Sequence, residues 1–135
     1  MRKQIYHLTT WRRIRASRLN TDPLCEFCRL DGIIKEADTV DHLISFYDRD
    51  DWLAFEYNNT QSLCVACHDH MSKYEAHIQK RMRDECGYGP LALSGDTELF
   101  TEEVRQRMIA DKRRLFLDYR RRQVGADGYP LNYSK

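Results

Sequence analysis

Leu63-Cys64-Val65-Ala66-Cys67-His68 decides the reading of this chain, with Asn59 and Gln61 just before it. The stretch fuses a Cys-x-x-Cys pair to a histidine. A second pair, Cys25-Glu26-Phe27-Cys28, lies upstream, and Val40-Asp41-His42-Leu43-Ile44 sits between the two. Zinc takes four thiolates in a tetrahedron, and each Cys-x-x-Cys turn can supply two neighbouring corners. Cys25, Cys28, Cys64 and Cys67 therefore predict one closed, structural zinc site. Such a site staples residues 24–29 to residues 63–68 and fixes the insert between them. The competing reading is two redox pairs or inert thiols. Five cysteines in a chain without an evident signal peptide favour metal ligation over disulfides, and Cys86 is left as a free thiol.

Asp41-His42 with His68 forms a second constellation. Neighbouring residues on a strand point to opposite sides. Asp41 would then bind a metal while His42 approaches it from the side as a base. His68 follows a thiolate ligand and opens a helix, so it is placed to be a second ligand of that ion. A lone histidine is more often a core or surface residue; the company of Asp41 and the cysteine frame reverses that preference. His70 and His77 are weaker candidates, and His7 is incidental.

The chain has 135 residues and a formal net charge of +1. That length suits one domain with a modest core, which a structural metal would help to fold. Charge is unevenly spread. Residues 1–20 carry Arg2, Lys3, Arg12, Arg13, Arg15 and Arg18 and no acid, while the C-terminal part carries Arg105, Arg107, Lys112, Arg113, Arg114, Arg120, Arg121 and Arg122. The middle holds Asp38, Asp41, Asp48, Asp50, Asp51 and Glu56. Basic ends around an acidic centre suit a protein that grips phosphates outside and holds a cation inside. The bland alternative is solvated helix faces. No apolar run is long enough to span a membrane, and the expected location is the cytoplasm.

In chain order, residues 1–8 read as a loose start. Thr9 or Thr10 is expected to N-cap a helix running to about Asn20, with Trp11, Ile14 and Leu19 on its apolar side. Residues 24–34 read as a knuckle with a hairpin-type turn at Asp31-Gly32. Ile33, Ile34, Val40, Ile44, Phe46 and Tyr47 predict short strands around Ala37-Asp38-Thr39. Residues 48–62 read as a long functional loop with a helical turn near Trp52–Tyr57. A helix is expected over 68–85, a linker over 86–97, and a last helix over 97–123. Phe100, Val104, Met108, Leu115 and Tyr119 would be its buried stripe, closing the core or pairing with another subunit. Residues 124–135 read as a flexible tail.

The set Trp11, Arg15, Leu19, Cys25-x-x-Cys28, Val40-Asp41-His42, Asn59-x-Gln61-x-Leu63-Cys64-x-x-Cys67-His68 and Lys73 resembles the His-Asn-His (HNH) nuclease family, above all its phage-encoded, zinc-stapled members. The resemblance covers about residues 10–75. It implies an α+β chain with a ββα-metal (His-Me finger) core, about residues 10–85, flanked by N- and C-terminal helices in a single domain, 1–135. By position, His42 matches the family's general base, and Asp41 and His68 its metal ligands. Asn59 matches the asparagine that shapes the loop and holds the base, with a direct or water-mediated ligand role still open. Lys73 matches a lysine common after the last histidine, one or two residues late. Arg12, Arg13, Arg15 and Lys73 would contact nucleic acid without reading sequence.

The implied activity is metal-dependent hydrolysis of phosphodiesters in double-stranded DNA, by nicking or double-strand cleavage. One carboxylate and one imidazole suit magnesium or manganese and tolerate nickel, cobalt or zinc. Likeness to phage members implies work in DNA packaging beside terminase and portal proteins, in the host cytoplasm, as a monomer. The alternative from another class is a non-catalytic zinc-binding module that docks DNA or protein. It would have no need for an acid–histidine pair beside an open metal position.

Overall fold

The computed structural model describes residues 5–46, 51–88 and 100–122. The readings made for residues 1–4, for Tyr47 to Asp50, for most of the 86–97 linker, for Thr97 and for the tail lie outside the described residues. Helix α1 spans Thr9–Thr21 and α2 spans Glu26–Leu30. Strand β1, Thr39–His42, pairs antiparallel with β2, Thr60–Leu63, so that Asp41 faces Gln61 and His42 faces Thr60. Helix α3 covers Val65–Cys86 and α4 covers Glu102–Arg122. Two 3₁₀ turns, Trp52–Ala54 and Tyr57–Asn59, lead into β2. This is the expected mixed helix-and-strand core with helices on both flanks.

The two faces of the small sheet do different work because alternate residues point oppositely. On one side His42 stacks on Trp11 of α1, with ring centroids 4.6 Å apart, and Thr60 Oγ1 accepts from Arg18 Nε at 2.9 Å. On the other, Asp41 meets His68 of α3. Helix α4 packs along α3 and reaches α2.

Several local expectations are corrected. Leu8, not Thr9 or Thr10, is the N-cap of α1, and no side chain caps it. The helix begins one residue early because Leu8 is itself held by a turn, its N–H on the Ile5 carbonyl at 2.9 Å. Gly32, at φ 76°, follows the end of α2 and does not join two strands. Ile33 and Ile34 are not in a strand, and Ile34 is 84% exposed. Their segment instead folds back on the first cysteine pair. Cys25 N–H donates to the Lys35 carbonyl at 2.7 Å and Ile33 N–H to the Cys28 carbonyl at 2.9 Å. Helix α3 starts at Val65, three residues earlier than the sequence suggests, with Cys64 as its N-cap. The second knuckle is thus the first turn of a helix, a geometry that sets Cys64 and Cys67 on one side.

The stripe of α4 is also rotated. Its buried residues are Arg105, Met108, Ile109, Lys112, Leu115 and Phe116, at helical spacing; Val104 and Tyr119 are only partly covered. Arg18, Arg105 and Lys112 are buried, which corrects the reading of the basic ends as outward phosphate grips at these positions. Arg113 pairs with Asp31 at 2.6 Å, and Arg121 and Arg122 both pair with Asp118. Arg105 and Lys112 are therefore spent inside the protein, while Arg121 and Arg122 pair with Asp118 at its surface.

Arg105 makes a two-pronged pair with Glu26, Nη1 to Oε2 at 3.0 Å and Nη2 to Oε1 at 2.7 Å. Glu26 Oε2 also accepts from the Ser62 N–H at 2.8 Å, and Arg105 Nη1 donates to the Thr60 carbonyl at 2.9 Å. One guanidinium thus binds α4 to α2 and β2. Both partners are essentially without solvent, at 0% and 1% side-chain exposure. Arg105→Met should lower stability by about 3–5 kcal/mol, because it strands a buried carboxylate. Urea unfolding will check this, and Glu26→Gln in the same chain should recover part of the loss.

Candidate metal centre and nuclease site

Two features of the sequence converge on one end of the sheet. The thiols of Cys25, Cys28, Cys64 and Cys67 lie within 4.8 Å of one another. Cys28 Sγ stands 3.9 Å from Cys64 Sγ and 3.7 Å from Cys67 Sγ. Four sulfurs at about 2.3 Å from a central zinc would be about 3.8 Å apart along a tetrahedron edge. The separations match that edge, and all five cysteines of the chain are free thiols.

Their electrostatics point the same way. Burial and neighbouring sulfur push the Cys28 thiol up to about 11, and burial with Cys64 raises Cys67 further. Burial also opposes ionisation of Cys64, but hydrogen bonds from Cys67 and the other thiols bring it down to about 7. Crowded thiols ionise one at the others' expense. A cation at their centre lets all four become thiolates.

Asp41 and His68 form the second group. Asp41 Oδ2 and His68 Nδ1 are 3.5 Å apart, longer than a well-formed hydrogen bond. His68 Nδ1 is buried and has no hydrogen-bond partner among the described residues. A carboxylate oxygen and an imidazole nitrogen at this spacing can both touch one ion at about 2.1 Å. Burial pushes the Asp41 carboxyl up, but His68, Lys112 and His42 outweigh it and hold it below the usual carboxylate range. The same carboxylate raises His68 above the ordinary histidine value, against the effect of burial. Asp41 Oδ1 accepts from the His42 N–H at 3.0 Å, which fixes the carboxylate's orientation.

His42 lies across the strand from that pair and is 5% exposed. Its Nε2 sits 2.9 Å from the Ala54 carbonyl. A carbonyl only accepts, so Nε2 carries the hydrogen and Nδ1 is the basic nitrogen of the neutral ring. Trp11 stacks on the ring, and Phe46 lies against it with centroids 4.6 Å apart. Ala54 and Phe46 had no signal in the sequence as parts of this site.

Asn59 is fully buried, and both ends of its amide are used on backbone. Oδ1 accepts from Ile44 N–H at 2.8 Å, and Nδ2 donates to the carbonyls of Ile44 and Leu53 at 2.9 and 3.0 Å. It therefore ties the chain after His42 to the turn that presents Ala54. Its Nδ2 is spent on two carbonyls, and one lone pair of its Oδ1 is taken by the Ile44 N–H. His70 and Lys73 are exposed and do not join Asp41 and His68; with Tyr74, Phe116 and Arg120 they line a small depression between α3 and α4. Arg12, Arg13 and Arg15 are exposed on α1, and Arg15 also donates to the Asp38 carbonyl at 2.9 Å.

A family model described as HNH endonuclease matches residues 25–73. A solved structure, the HNH endonuclease of the deep-sea thermophilic bacteriophage GVE2 with manganese ion, is 31% identical; the match covers 56% of this chain and 82% of that one, with a TM-score of 0.49. No curated protein matches the chain. The matched span runs from the first thiol pair through His42 and Asn59 to Lys73. The chain belongs to the HNH endonuclease family and is a nuclease.

Proposed function

We propose that the protein is a metal-dependent DNA endonuclease with His42 as general base, Asp41 and His68 as ligands of a divalent ion, and Asn59 as the residue that holds the base loop. Cys25, Cys28, Cys64 and Cys67 are assigned a structural zinc. The observation that carries the reading is the anchored His42 ring, Nε2 on the Ala54 carbonyl at 2.9 Å, on the strand whose neighbouring residue faces His68.

Phosphodiester hydrolysis needs an activated water aligned with the leaving oxygen and charge stabilisation at phosphorus. Nδ1 of neutral His42 accepts the proton of the attacking water. The Ala54 carbonyl holds the ring in the tautomer that leaves Nδ1 basic, and Trp11 and Phe46 keep it from turning. A divalent ion on Asp41 and His68 would supply charge stabilisation at the scissile phosphate and its departing oxygen. Two protein ligands leave room for water and phosphate. Magnesium or manganese is the working ion in this reading, and the manganese in the phage relative supports a divalent metal. Nickel, cobalt and zinc are tolerated by the imidazole. Arg12, Arg13, Arg15 and Lys73 are the candidate phosphate contacts on double-stranded DNA. The finer reading, a monomeric phage nuclease acting in DNA packaging beside terminase and portal proteins in the host cytoplasm, rests on family analogy. Among the described residues no helix is long and apolar enough to cross a membrane.

The test is conversion of supercoiled plasmid. Protein holding its structural zinc is freed of other metals and given magnesium, manganese, nickel or zinc in turn. Open-circle or linear DNA should appear with manganese or magnesium and vanish with a chelator mild enough to spare the cysteine site. No conversion with any ion would overturn the proposal.

A further inference from the structure

Lys112 lies in the middle of α4, inside its apolar stripe, four residues after Met108 and three before Leu115. Its side chain is 0% exposed. A buried ammonium is tolerated when each of its three N–H groups finds an acceptor. Three acceptors converge here. Nζ donates to the His42 carbonyl at 3.1 Å, to the Leu43 carbonyl at 3.0 Å and to Glu75 Oε1 at 3.3 Å.

Two of these acceptors are the last residue of β1 and the residue after it, and the third belongs to α3. Gln79, one turn beyond Glu75, completes the bracket. Its Nε2 donates to the Leu43 carbonyl and to Glu75 Oε1, both at 2.8 Å, and its Oε1 accepts from the Ser45 N–H at 3.2 Å. His68 stands on the same helix two turns before Glu75, so it shares that face. One ammonium therefore joins the backbone that carries His42 to the helix that carries His68. Core closure alone gives no reason for a cation at this position. An apolar side chain would fill the stripe, and exchanging a buried ion pair for apolar groups is often neutral or stabilising.

We infer that Lys112 is a positioning residue of the nuclease site, fixing the backbone at His42 and Leu43 against α3 and so setting the distance between the His42 ring and the Asp41–His68 pair. This rests on the reading of His42, Asp41 and His68 given above. It makes α4, which lies beyond the matched span 25–73, a working part of the enzyme.

Lys112→Met keeps the length and removes the charge. Leu115→Ala opens a cavity in the same stripe while leaving the ammonium in place, and serves as the control. Both variants are measured for urea stability, for plasmid cleavage per folded molecule at saturating DNA, and for affinity to an uncleaved duplex in chelator. Both should be less stable. Only Lys112→Met should lose kcat, by about a hundredfold, the loss typical of a reacting group displaced by about 1 Å, while KM and duplex affinity stay within about twofold. Glu75→Gln, which loosens the grip from one side, should lose about tenfold in kcat.

Wild-type kcat in folded Lys112→Met, or an equal loss in Leu115→Ala, would show a merely structural role and end the inference. If Lys112→Met fails to fold, an unchanged kcat in Glu75→Gln ends it instead. His42→Ala run alongside separates the two levels. Cleavage retained in that variant sinks the reading of the site; an inactive His42→Ala beside a fully active Lys112→Met sinks only the role of Lys112.

Discussion

His42→Ala is expected to slow plasmid cleavage by about 10²–10⁴-fold, the usual contribution of a positioned general base. The size follows from what the ring does. Its Nε2 is committed to the Ala54 carbonyl, so Nδ1, the proton acceptor in the proposed reaction, is held in one place and one tautomer. Alanine supplies no base, and water in its place is a far weaker one. DNA affinity should stay within about twofold, because the proposed phosphate contacts are exposed cations and His42 is buried. Loss of a stacked, buried ring will also reduce stability, so His42→Gln belongs beside it. Glutamine can still donate to the Ala54 carbonyl and cannot take the proton. Equal losses in both variants, with normal duplex binding, assign the base. Near-normal cleavage in folded His42→Gln would falsify it.

The second large effect concerns folding. Cys64→Ser should release about one zinc per chain and unfold most of the protein at 37 °C. Binding of a structural zinc in small domains is worth about 10–16 kcal/mol at neutral pH, far more than the usual net stability of a domain. Cys64 is also the N-cap of α3, directly after β2, and its carbonyl accepts the His68 N–H at 3.0 Å. Losing this corner therefore frees the helix end on which His68 stands. Metal analysis and circular dichroism will report both losses together. A serine variant that keeps its zinc and its thermal transition would remove the cysteine site from the account of stability.

The parts legible in the sequence were those in which short-range chemistry fixes geometry. Two Cys-x-x-Cys pairs imply a shared centre because thiolates one turn apart must face one point. Asp41 and His42 divide between two faces because a strand alternates. The end of α3 at Gly87 was readable because a left-handed cap, here φ 75°, favours glycine. What escaped the reading was decided at long range. Ile33 and Ile34 have strand-forming side chains, yet the return of the chain onto Cys25 and Cys28 keeps them outside the sheet. Ala54 contributes a backbone carbonyl, for which side-chain identity carries no signal. Arg105 and Lys112 looked like surface charge, although a cation at helical spacing among Met108, Ile109 and Leu115 was a visible anomaly. Its partners, Glu26 and the end of β1, could not be named before the chain was folded.

Those two cations also constrain when the enzyme comes into being. Arg105 reaches Glu26 across 79 positions, and Lys112 reaches the His42 carbonyl across 70. During translation the thiol pairs, both strands and most of α3 leave the ribosome before either cation does. Until α4 follows, Glu26 has no guanidinium beside it and the end of β1 has no ammonium. A nascent chain can bring its four thiols together early, but Glu26 and the end of β1 meet their cations only once α4 has emerged.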